Sequence, residues 1–495
     1  MRRRDDGSFF DQAFSRAAGA RRIEGNHVDL LVDAAENYPA WLEAIAAAER
    51  YVNFESYIIR DDTAGRQFAD AFTAKVREGV TIRVLYDWMG AFRKTPDSFW
   101  KALRQAGIEV RCFNPFSLAS PLGWIHRDHR KTLTVDGRVG FVTGLCVGDD
   151  WVGYPARGIA PWRDTGVAVR GPAVAAIERG FRHVWSIIGP PIPEEDDMSP
   201  AELSIAGDMA VRVVASEPFH AGLIRVDELV AEAARETIWL HDAYFAGTPS
   251  YVQSLRAAAA DGVDVRLLVP GGTDIPILRP ISRAGYRPLL EAGVRVFEWN
   301  GPMLHAKTSV ADGRWARVGS SNLNIASWLG NFEMDVIVED ERFARAMMEQ
   351  YTRDLTNATE VVLRPGRPHL VGRAPSPTPG AGSDQLRERP HARGGGSAGR
   401  AAAGAIRLGN TVTAAVTDRR VLERADARVV IAAGAILIAV AVVSIRWPRV
   451  FAIPFALLAA WFGGALLVRA YRIDRHRQPS GAAASGTPER RAPAP

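Results

Sequence analysis

Cysteine is scarce in this chain of 495 residues, which contains only Cys112 and Cys146. Two cysteines in separate apolar stretches do not build a disulfide framework, so the chain suits a reducing compartment and must be stabilised by hydrophobic cores. No apolar run follows the early arginines at positions 2–4, which argues against a cleaved secretory signal.

A strong excess of positive charge is also absent. Lysine and arginine number 61 against 56 aspartates and glutamates, and the formal net charge is +5. A nucleic-acid-binding protein more often carries a concentrated basic face, and basic clusters here are confined to the tails, so we expect no nucleic-acid partner. The chain has room for about three domains.

Two long apolar runs stand near the C-terminus, at residues 429–445 and 450–468. A helix needs roughly 17–25 apolar residues to cross the hydrocarbon core of a bilayer. A four-residue turn joins the runs, so residues 429–468 are predicted to form a transmembrane helical hairpin. The alternative is a buried helical hairpin in a soluble domain.

Arginine distribution predicts the orientation of this hairpin. Positive charge favours the cytoplasmic side, and arginines cluster before and after the hairpin rather than in its turn. We therefore expect a multi-pass protein of the cell membrane whose large N-terminal region and both termini are cytoplasmic. The arginines are Arg419, Arg420, Arg424 and Arg428 before the hairpin, and Arg469, Arg472, Arg475 and Arg477 after it.

The remaining C-terminal segments are predicted to lack a core. Residues 363–405 are rich in proline, glycine, serine and arginine, which is typical of a disordered basic linker. A juxtamembrane segment at residues 406–428 leads into the hairpin, and residues 469–495 form a disordered tail.

An internal duplication organises the rest of the chain. A strand, helix, strand, helix and strand follow one another from YVNFESYIIR to IEVRCFNPF, and the same order recurs from TIWLHDAYF to VRVFEWN. We therefore predict an α/β fold with two pseudo-symmetric repeats, at residues 25–200 and 201–362, each a mixed sheet flanked by helices.

Each repeat contains one copy of the pattern H-x-K-x4-D-G. On a strand, the histidine and lysine point to the same face, whereas the aspartate would lie on the other face at the turn. The aspartate is therefore expected to be a structural anchor more than a reacting group. A single H-x-K carries little information, but two full copies in register are not a coincidence. The candidate catalytic residues are His129, Lys131, Asp136, His305, Lys307 and Asp312.

These motifs and their surroundings resemble the phospholipase D superfamily, and within it the bacterial cardiolipin synthases. The resemblance extends to Trp162-Arg163-Asp164-Thr165, to Gly319-Ser320-Ser321-Asn322, to Gly148-Asp149-Asp150-Trp151 and to the YRPLLEAG segment at residues 286–293. It implies phospholipase D-like repeats that share one site, and a phosphatidyltransferase that acts on a phospholipid, with phosphatidylglycerol as the expected substrate and the bilayer as its setting.

The mechanism implied by the resemblance uses no metal and no other cofactor. One histidine attacks phosphorus to form a phosphohistidine, and the other transfers protons to and from the alcohols. We expect His129 to be the nucleophile and His305 the acid and base, although the roles could be reversed. Lys131 and Lys307 would neutralise the phosphate oxygens.

The resemblance also implies supporting residues. Asp164 follows His129 by 35 residues and Glu333 follows His305 by 28, and each is expected to hydrogen-bond its histidine. Ser320 and Asn322 follow the second motif, and the amide of Asn322 would help to hold phosphate. The matching residue of the first repeat is Cys146, whose thiol is a weak donor.

Other interpretations remain open. A hydrolytic phospholipase D would use the same residues with water, a nuclease of the superfamily would use them on DNA, and a membrane scaffold would retain the fold without activity. His126 and His129 stand three residues apart, as zinc ligands can, but no further cluster completes such a site. Four tryptophans could line an acyl-chain entrance or pack in the core: Trp124, Trp151, Trp162 and Trp328.

Overall fold

The computed structural model describes residues 7–116, 126–193, 204–274, 282–283, 285–364 and 367–373, and scattered positions between 438 and 464. The juxtamembrane segment, the tail and most of the hairpin and linker predicted from the sequence lie outside these residues. Among the positions that are described, no helix has the length and apolar character needed to cross a membrane.

The first repeat forms a mixed sheet with the spatial order β4-β3-β2-β6-β7-β8-β1. Strands β2, β3 and β4 are parallel to one another, and the remaining neighbours are antiparallel. The strands are β1 (Ile23–Val32), β2 (Tyr51–Ser56), β3 (Thr81–Asp87), β4 (Glu109–Phe113), β5 (Arg127–Asp128), β6 (Lys131–Val135), β7 (Val139–Thr143) and β8 (Thr165–Arg170).

The second repeat reproduces this order as β12-β11-β10-β13-β14-β15-β9, again with three parallel strands followed by antiparallel ones. The strands are β9 (Met209–Ser216), β10 (Thr237–His241), β11 (Asp264–Pro270), β12 (Arg295–Trp299), β13 (Thr308–Ala311), β14 (Trp315–Gly319), β15 (Asn331–Glu339), β16 (Ala358–Arg364) and β17 (Arg367–Arg373). The two pseudo-symmetric α/β repeats predicted from the sequence are therefore confirmed.

Helices cover the outer faces of both sheets. Several begin with a side-chain cap: the carboxylate of Asp62 accepts from the Gly65 N–H at 3.0 Å, and that of Asp340 accepts from the Phe343 N–H at 3.0 Å. The helices are α1 (Gly7–Ala18), α2 (Asp33–Ala46), α3 (Thr63–Arg77), α4 (Trp88–Ala91), α5 (Asp97–Gln105), α6 (Asp149–Val152), α7 (Val174–Ile187), α8 (Gly222–Ala233), α9 (Pro249–Ala260), α10 (Arg287–Glu291), α11 (Ile325–Leu329) and α12 (Glu341–Leu355).

The two repeats are joined into one compact unit by strand pairing and by a shared core. Edge strands β1 and β9 pair with each other, and the short strand β5 runs parallel to the start of β15. Buried residues of both repeats, among them Val142, Val167, Val213 and Met334, form one hydrophobic cluster between the sheets. Because this cluster needs both repeats, neither sheet is covered without the other.

The aspartate of each H-x-K-x4-D-G copy anchors the turn that follows the motif strand. Asp136 and Asp312 have φ values of 53° and 48°, a left-handed conformation that aspartate tolerates and that the following glycine shares. The carboxylate of Asp136 accepts from the backbone N–H groups of residues 49–51 at 2.8–2.9 Å. Asp312 accepts from those of residues 235–237 in the same way.

Both aspartates therefore fix the start of the neighbouring strand, β2 or β10. Each aspartate lies seven positions after its motif histidine, which at about 3.3 Å per extended residue places them at opposite ends of the strand. Among the predicted catalytic residues, Asp136 and Asp312 thus lie away from the motif histidines, and their expected role as structural anchors agrees with the geometry.

Two segments differ from the sequence-based boundaries. Helix α1 precedes residue 25, where the first repeat was predicted to begin, and its Ala18 packs in the core of the second repeat. Strand β17 lies inside the segment predicted as linker and pairs with β16. The linker prediction is wrong there because it relied on missing apolar periodicity, whereas an edge strand offers backbone hydrogen bonds to any sequence.

We expect Asp136→Ala to lower the free energy of unfolding by roughly 2 kcal/mol, because three backbone N–H groups lose a charged acceptor. Urea unfolding followed by circular dichroism measures this change. Asp136→Asn, which keeps one acceptor oxygen and tolerates positive φ, should lose less. Asp29→Ala, at a half-buried carboxylate that pairs with Arg170, serves as the control. An Asp136→Ala variant as stable as this control would contradict the anchoring role.

Candidate active site

The two motif histidines are held by equivalent backbone contacts that cross between the repeats. The N–H of His129 donates to the carbonyl of Phe332 at 2.9 Å, and the N–H of His305 donates to the carbonyl of Arg163 at 2.7 Å. Phe332 and Arg163 directly precede Glu333 and the aspartate at position 164. Each histidine is therefore placed beside a carboxylate of the other repeat.

The side chains complete this exchange. Nδ1 of His129 lies 2.9 Å from Oε2 of Glu333, and Nδ1 of His305 lies 2.7 Å from Oδ2 of Asp164. The sequence identified both carboxylates but paired each with the histidine of its own repeat, and that pairing is wrong. The crossed pairing has no signal in the sequence, because the order of residues does not show which edge of one sheet meets the other.

The carboxylates decide which ring nitrogen is free to react. A neutral imidazole next to a carboxylate keeps its proton on Nδ1, which leaves the lone pair on Nε2. Burial works to raise the pKa of Asp164, but the nearby His305 and Lys307 lower it below its ordinary value overall. Burial likewise works to raise the pKa of Glu333, but His129 and Lys131 lower it below its ordinary value overall. Both carboxylates are therefore ionised at neutral pH.

Both histidines share one electrostatic environment. Burial is the largest cause that lowers the pKa of His129 and of His305 to about 4, well below the ordinary value. Each histidine also feels both lysines, since Lys131 and Lys307 each lower the pKa of both rings. The sequence predicts a single site for the two motifs, and the effect of both lysines on both rings agrees with this prediction.

The two lysines are buried and held alike. Nζ of Lys131 donates to the carbonyl of His129, and Nζ of Lys307 donates to that of His305. Burial is the main cause that lowers the pKa of Lys307 to about 8. The charge of Asp164 opposes this shift, and repulsion from Lys131 adds to it. The Lys307 ammonium thus remains mostly cationic at neutral pH although it is fully buried.

Residues around the carboxylates differ between the two halves. The hydroxyl of Ser320 donates to Oε2 of Glu333 at 2.5 Å. The matching residue of the first repeat is Gly144, where a Cβ atom would come within 2.1 Å of Asp164. In place of the serine, the indole N–H of Trp151 donates to Asp164 at 3.0 Å. The same structural task is therefore performed by two different side chains.

Asn322 and Cys146 occupy equivalent positions after the motif strands, as the sequence suggests. Both are buried, and Cys146 is 1% exposed. Oδ1 of Asn322 is buried and accepts no hydrogen bond from any residue that the structure describes. An unpaired buried amide oxygen is an acceptor open to a ligand donor, whereas the thiol offers a poor hydrogen bond.

Aromatic rings line the site. Trp151 and Trp162 contact the ring of His305, with centroids 5.6 and 5.7 Å apart. Trp328 instead packs in the core of the second repeat, and Trp124 lies outside the described residues. Sequence reasoning missed Tyr57 and Tyr244, whose rings lie 5.0 Å from His129 and 6.1 Å from His305. Their only signal was their position just after strands β2 and β10.

The remaining candidate ligand, His126, is engaged elsewhere. Its Nδ1 lies 2.9 Å from the carbonyl of Gly330, and its ring contacts Phe219. Within the described part of the chain, no group of three or more histidine, cysteine, aspartate or glutamate side chains is arranged to hold a metal ion.

Comparison with known proteins agrees with this geometry. The family model described as the cardiolipin synthase, phospholipase D-like domain matches residues 41–148 and 229–355. Cardiolipin synthase from Alkalihalophilus pseudofirmus is 34% identical over 336 residues, which is 67% of this chain and 66% of that protein. Cardiolipin synthase A from Pseudomonas fluorescens is 34% identical over 353 residues, or 68% and 70% of the two chains.

A solved structure shares the fold. Phosphatidylserine synthase from Haemophilus influenzae superposes with a TM-score of 0.56 and 14% identity, covering 70% of this chain and 91% of that one. The curated relatives are matched over about two thirds of their length, and the family model includes both motif copies. On these grounds the chain belongs to the family of cardiolipin synthases, phosphatidyltransferases built on the phospholipase D-like domain.

Proposed function

We propose that this chain transfers a phosphatidyl group between two molecules of phosphatidylglycerol through a covalent phosphohistidine. The observation that carries the proposal is the pair of imidazoles, each oriented by a carboxylate of the opposite repeat, together with two buried lysines whose charges act on both rings. Such a cluster offers one nucleophile, one proton carrier and two fixed positive charges to a phosphodiester.

In the first step, Nε2 of His129 attacks phosphorus and the bond to the glycerol headgroup breaks. Protonated His305 gives its proton to the departing glycerol oxygen, which leaves as free glycerol. Lys131 and Lys307 stabilise the charge on the non-bridging oxygens, and the amide of Asn322 adds a hydrogen bond.

In the second step, neutral His305 takes the proton from a hydroxyl of a second phosphatidylglycerol. The resulting oxygen attacks phosphorus, the bond between phosphorus and His129 breaks, and cardiolipin is released. The aspartate at position 164 stabilises His305 while it is charged, as Glu333 does for His129. The same site could pass the phosphatidyl group to water, so products must be identified.

His129→Ala and His305→Ala are each expected to lower turnover by at least about 10⁴-fold, since the two residues act as one unit. Incubating purified protein with labelled phosphatidylglycerol and separating the lipids measures this loss. Cardiolipin plus glycerol supports the transferase, whereas phosphatidic acid would indicate a hydrolase. His27→Ala, an exposed histidine outside the site, is the control. Activity that chelator abolishes would contradict the metal-free reaction.

The low pKa of the two histidines also predicts a pH dependence of stability. A histidine whose pKa falls from about 6.5 unfolded to about 4 folded binds its proton less well when folded. Each ring therefore contributes roughly 3 kcal/mol above pH 6.5, and this contribution is lost as the pH falls from 6.5 towards 4.

We accordingly expect His129→Gln to lose less stability than the unmodified chain between pH 6.5 and pH 4. Urea midpoints measured across this range test the difference, with exposed His27→Gln as the matched control. Equal acid sensitivity of all three proteins would show that the motif histidine titrates normally.

We also propose that residues 429–468 form a membrane-spanning hairpin that keeps the site beside its lipid, with the catalytic region in the cytoplasm. The two uncharged runs and their flanking arginines support this proposal. Deleting residues 429–495 should release the protein from carbonate-washed membranes while detergent-dispersed phosphatidylglycerol is still converted. A deleted chain that stays in the washed membranes would refute the tether.

A further inference from the structure

In each half of the site, one buried arginine donates to the backbone carbonyl of the residue that carries the orienting carboxylate. Nε of Arg130 donates to the carbonyl of Glu333 at 3.1 Å, and Nη1 of Arg163 donates to the carbonyl of Asp164. The arginines are only 1% and 4% exposed. Each thus binds the backbone of the residue whose carboxylate orients a motif histidine.

The two arginines are not equivalent in the duplication. Strand register aligns Glu333 with the aspartate at 164, because residues 335 and 166 pair with Gly319 and Thr143. Arg130 lies between the histidine and lysine of the first motif, where the second motif has Ala306. The position that matches Arg163 is Phe332. The two repeats therefore use arginines at different positions to bind equivalent carbonyl groups.

Each guanidinium is itself fixed. The two terminal nitrogens of Arg130 donate to the carbonyls of Gly180 and Ser216 at 2.7 and 3.0 Å. Arg163 makes a bidentate pair with Asp354, at 2.9 and 2.8 Å. A planar fork held on several sides is a rigid support that lysine cannot reproduce.

With the arginine contact, the backbone on both sides of each carboxylate residue accepts a hydrogen bond. The carbonyl before Glu333 accepts from the N–H of His129, and the carbonyl of Glu333 itself accepts from Arg130. Around Asp164, the preceding carbonyl accepts from His305 and its own carbonyl accepts from Arg163. The backbone that carries each carboxylate is therefore bound on both sides.

We propose that Arg130 and Arg163 are positioning residues, each dedicated to one half-site: Arg130 acts through Glu333 on His129, and Arg163 acts through Asp164 on His305. Arg130→Lys and Arg163→Lys should each lower kcat by roughly 10²-fold with KM little changed, because small misplacements of a reacting group cost that much. The expected change in kcat rests on the proposed function.

Arg212→Lys is the matched control. Arg212 is also 1% exposed, but it binds Glu339 at 2.8 Å and Ser15 at 2.6 Å, away from the site. This variant should lose stability without a comparable loss of kcat per folded molecule. Asp354→Asn, which leaves Arg163 in place but weakens its support, should reproduce the kinetics of Arg163→Lys if the latter folds poorly.

Double variants separate positioning from general packing. Arg130→Lys should cause little further loss in a Glu333→Gln background, since its effect runs through that carboxylate. A full multiplicative loss there, or a kcat loss no greater than that of Arg212→Lys, would overturn the proposal.

A second readout needs no turnover. Diethyl pyrocarbonate modifies neutral imidazoles, and mass spectrometry follows the rate at each histidine as the pH is varied. Arg130→Lys should change the profile of His129 alone, Arg163→Lys that of His305 alone, and the control neither. Equal changes at both rings would refute the half-site assignment. An unmodified chain that leaves phosphatidylglycerol intact would refute the proposed function instead, and the modification rates would still decide this inference.

Discussion

The crossed pairing of histidine and carboxylate is the interaction on which the rest of the structure depends. Glu333 orients His129 and Asp164 orients His305, so each reactive ring draws its partner from the opposite repeat. A single repeat would hold a histidine whose Nδ1 has no carboxylate and whose backbone N–H has no acceptor. The shared hydrophobic cluster and the pairing of β5 with β15 are therefore as necessary to the site as the motifs themselves.

Burial gives these groups their chemical character. Exclusion of water lowers the pKa of both histidines, and the two lysines add to the effect, so the resting rings are neutral. A phosphodiester anion that enters between the ammonium groups removes part of that cost and favours a protonated ring. In the proposed reaction one ring gains a proton in this way, while the other stays neutral and acts as the nucleophile.

Duplication has preserved the geometry but not the individual supports. Ser320 donates a hydrogen bond to one carboxylate, and Trp151 donates to the other. The position that matches Ser320 is Gly144, where a side chain would clash with Asp164. Arg130 and Arg163 reach equivalent carbonyls from unequal positions. The two half-sites therefore orient their imidazoles alike with different supporting side chains.

The sequence by itself determined the α/β repeats and the two motifs in register, because these depend on local periodicity and spacing. Both carboxylates were identified through the resemblance to a known family. The sequence also indicated that Asp136 and Asp312 are anchors, since strand alternation turns them from the histidines. Only the tertiary structure decided which carboxylate serves which histidine, that Tyr57 and Tyr244 border the site, and that α1 and β17 join the fold. Those contacts join residues on different repeats or at a sheet edge, and no local pattern records which edges meet.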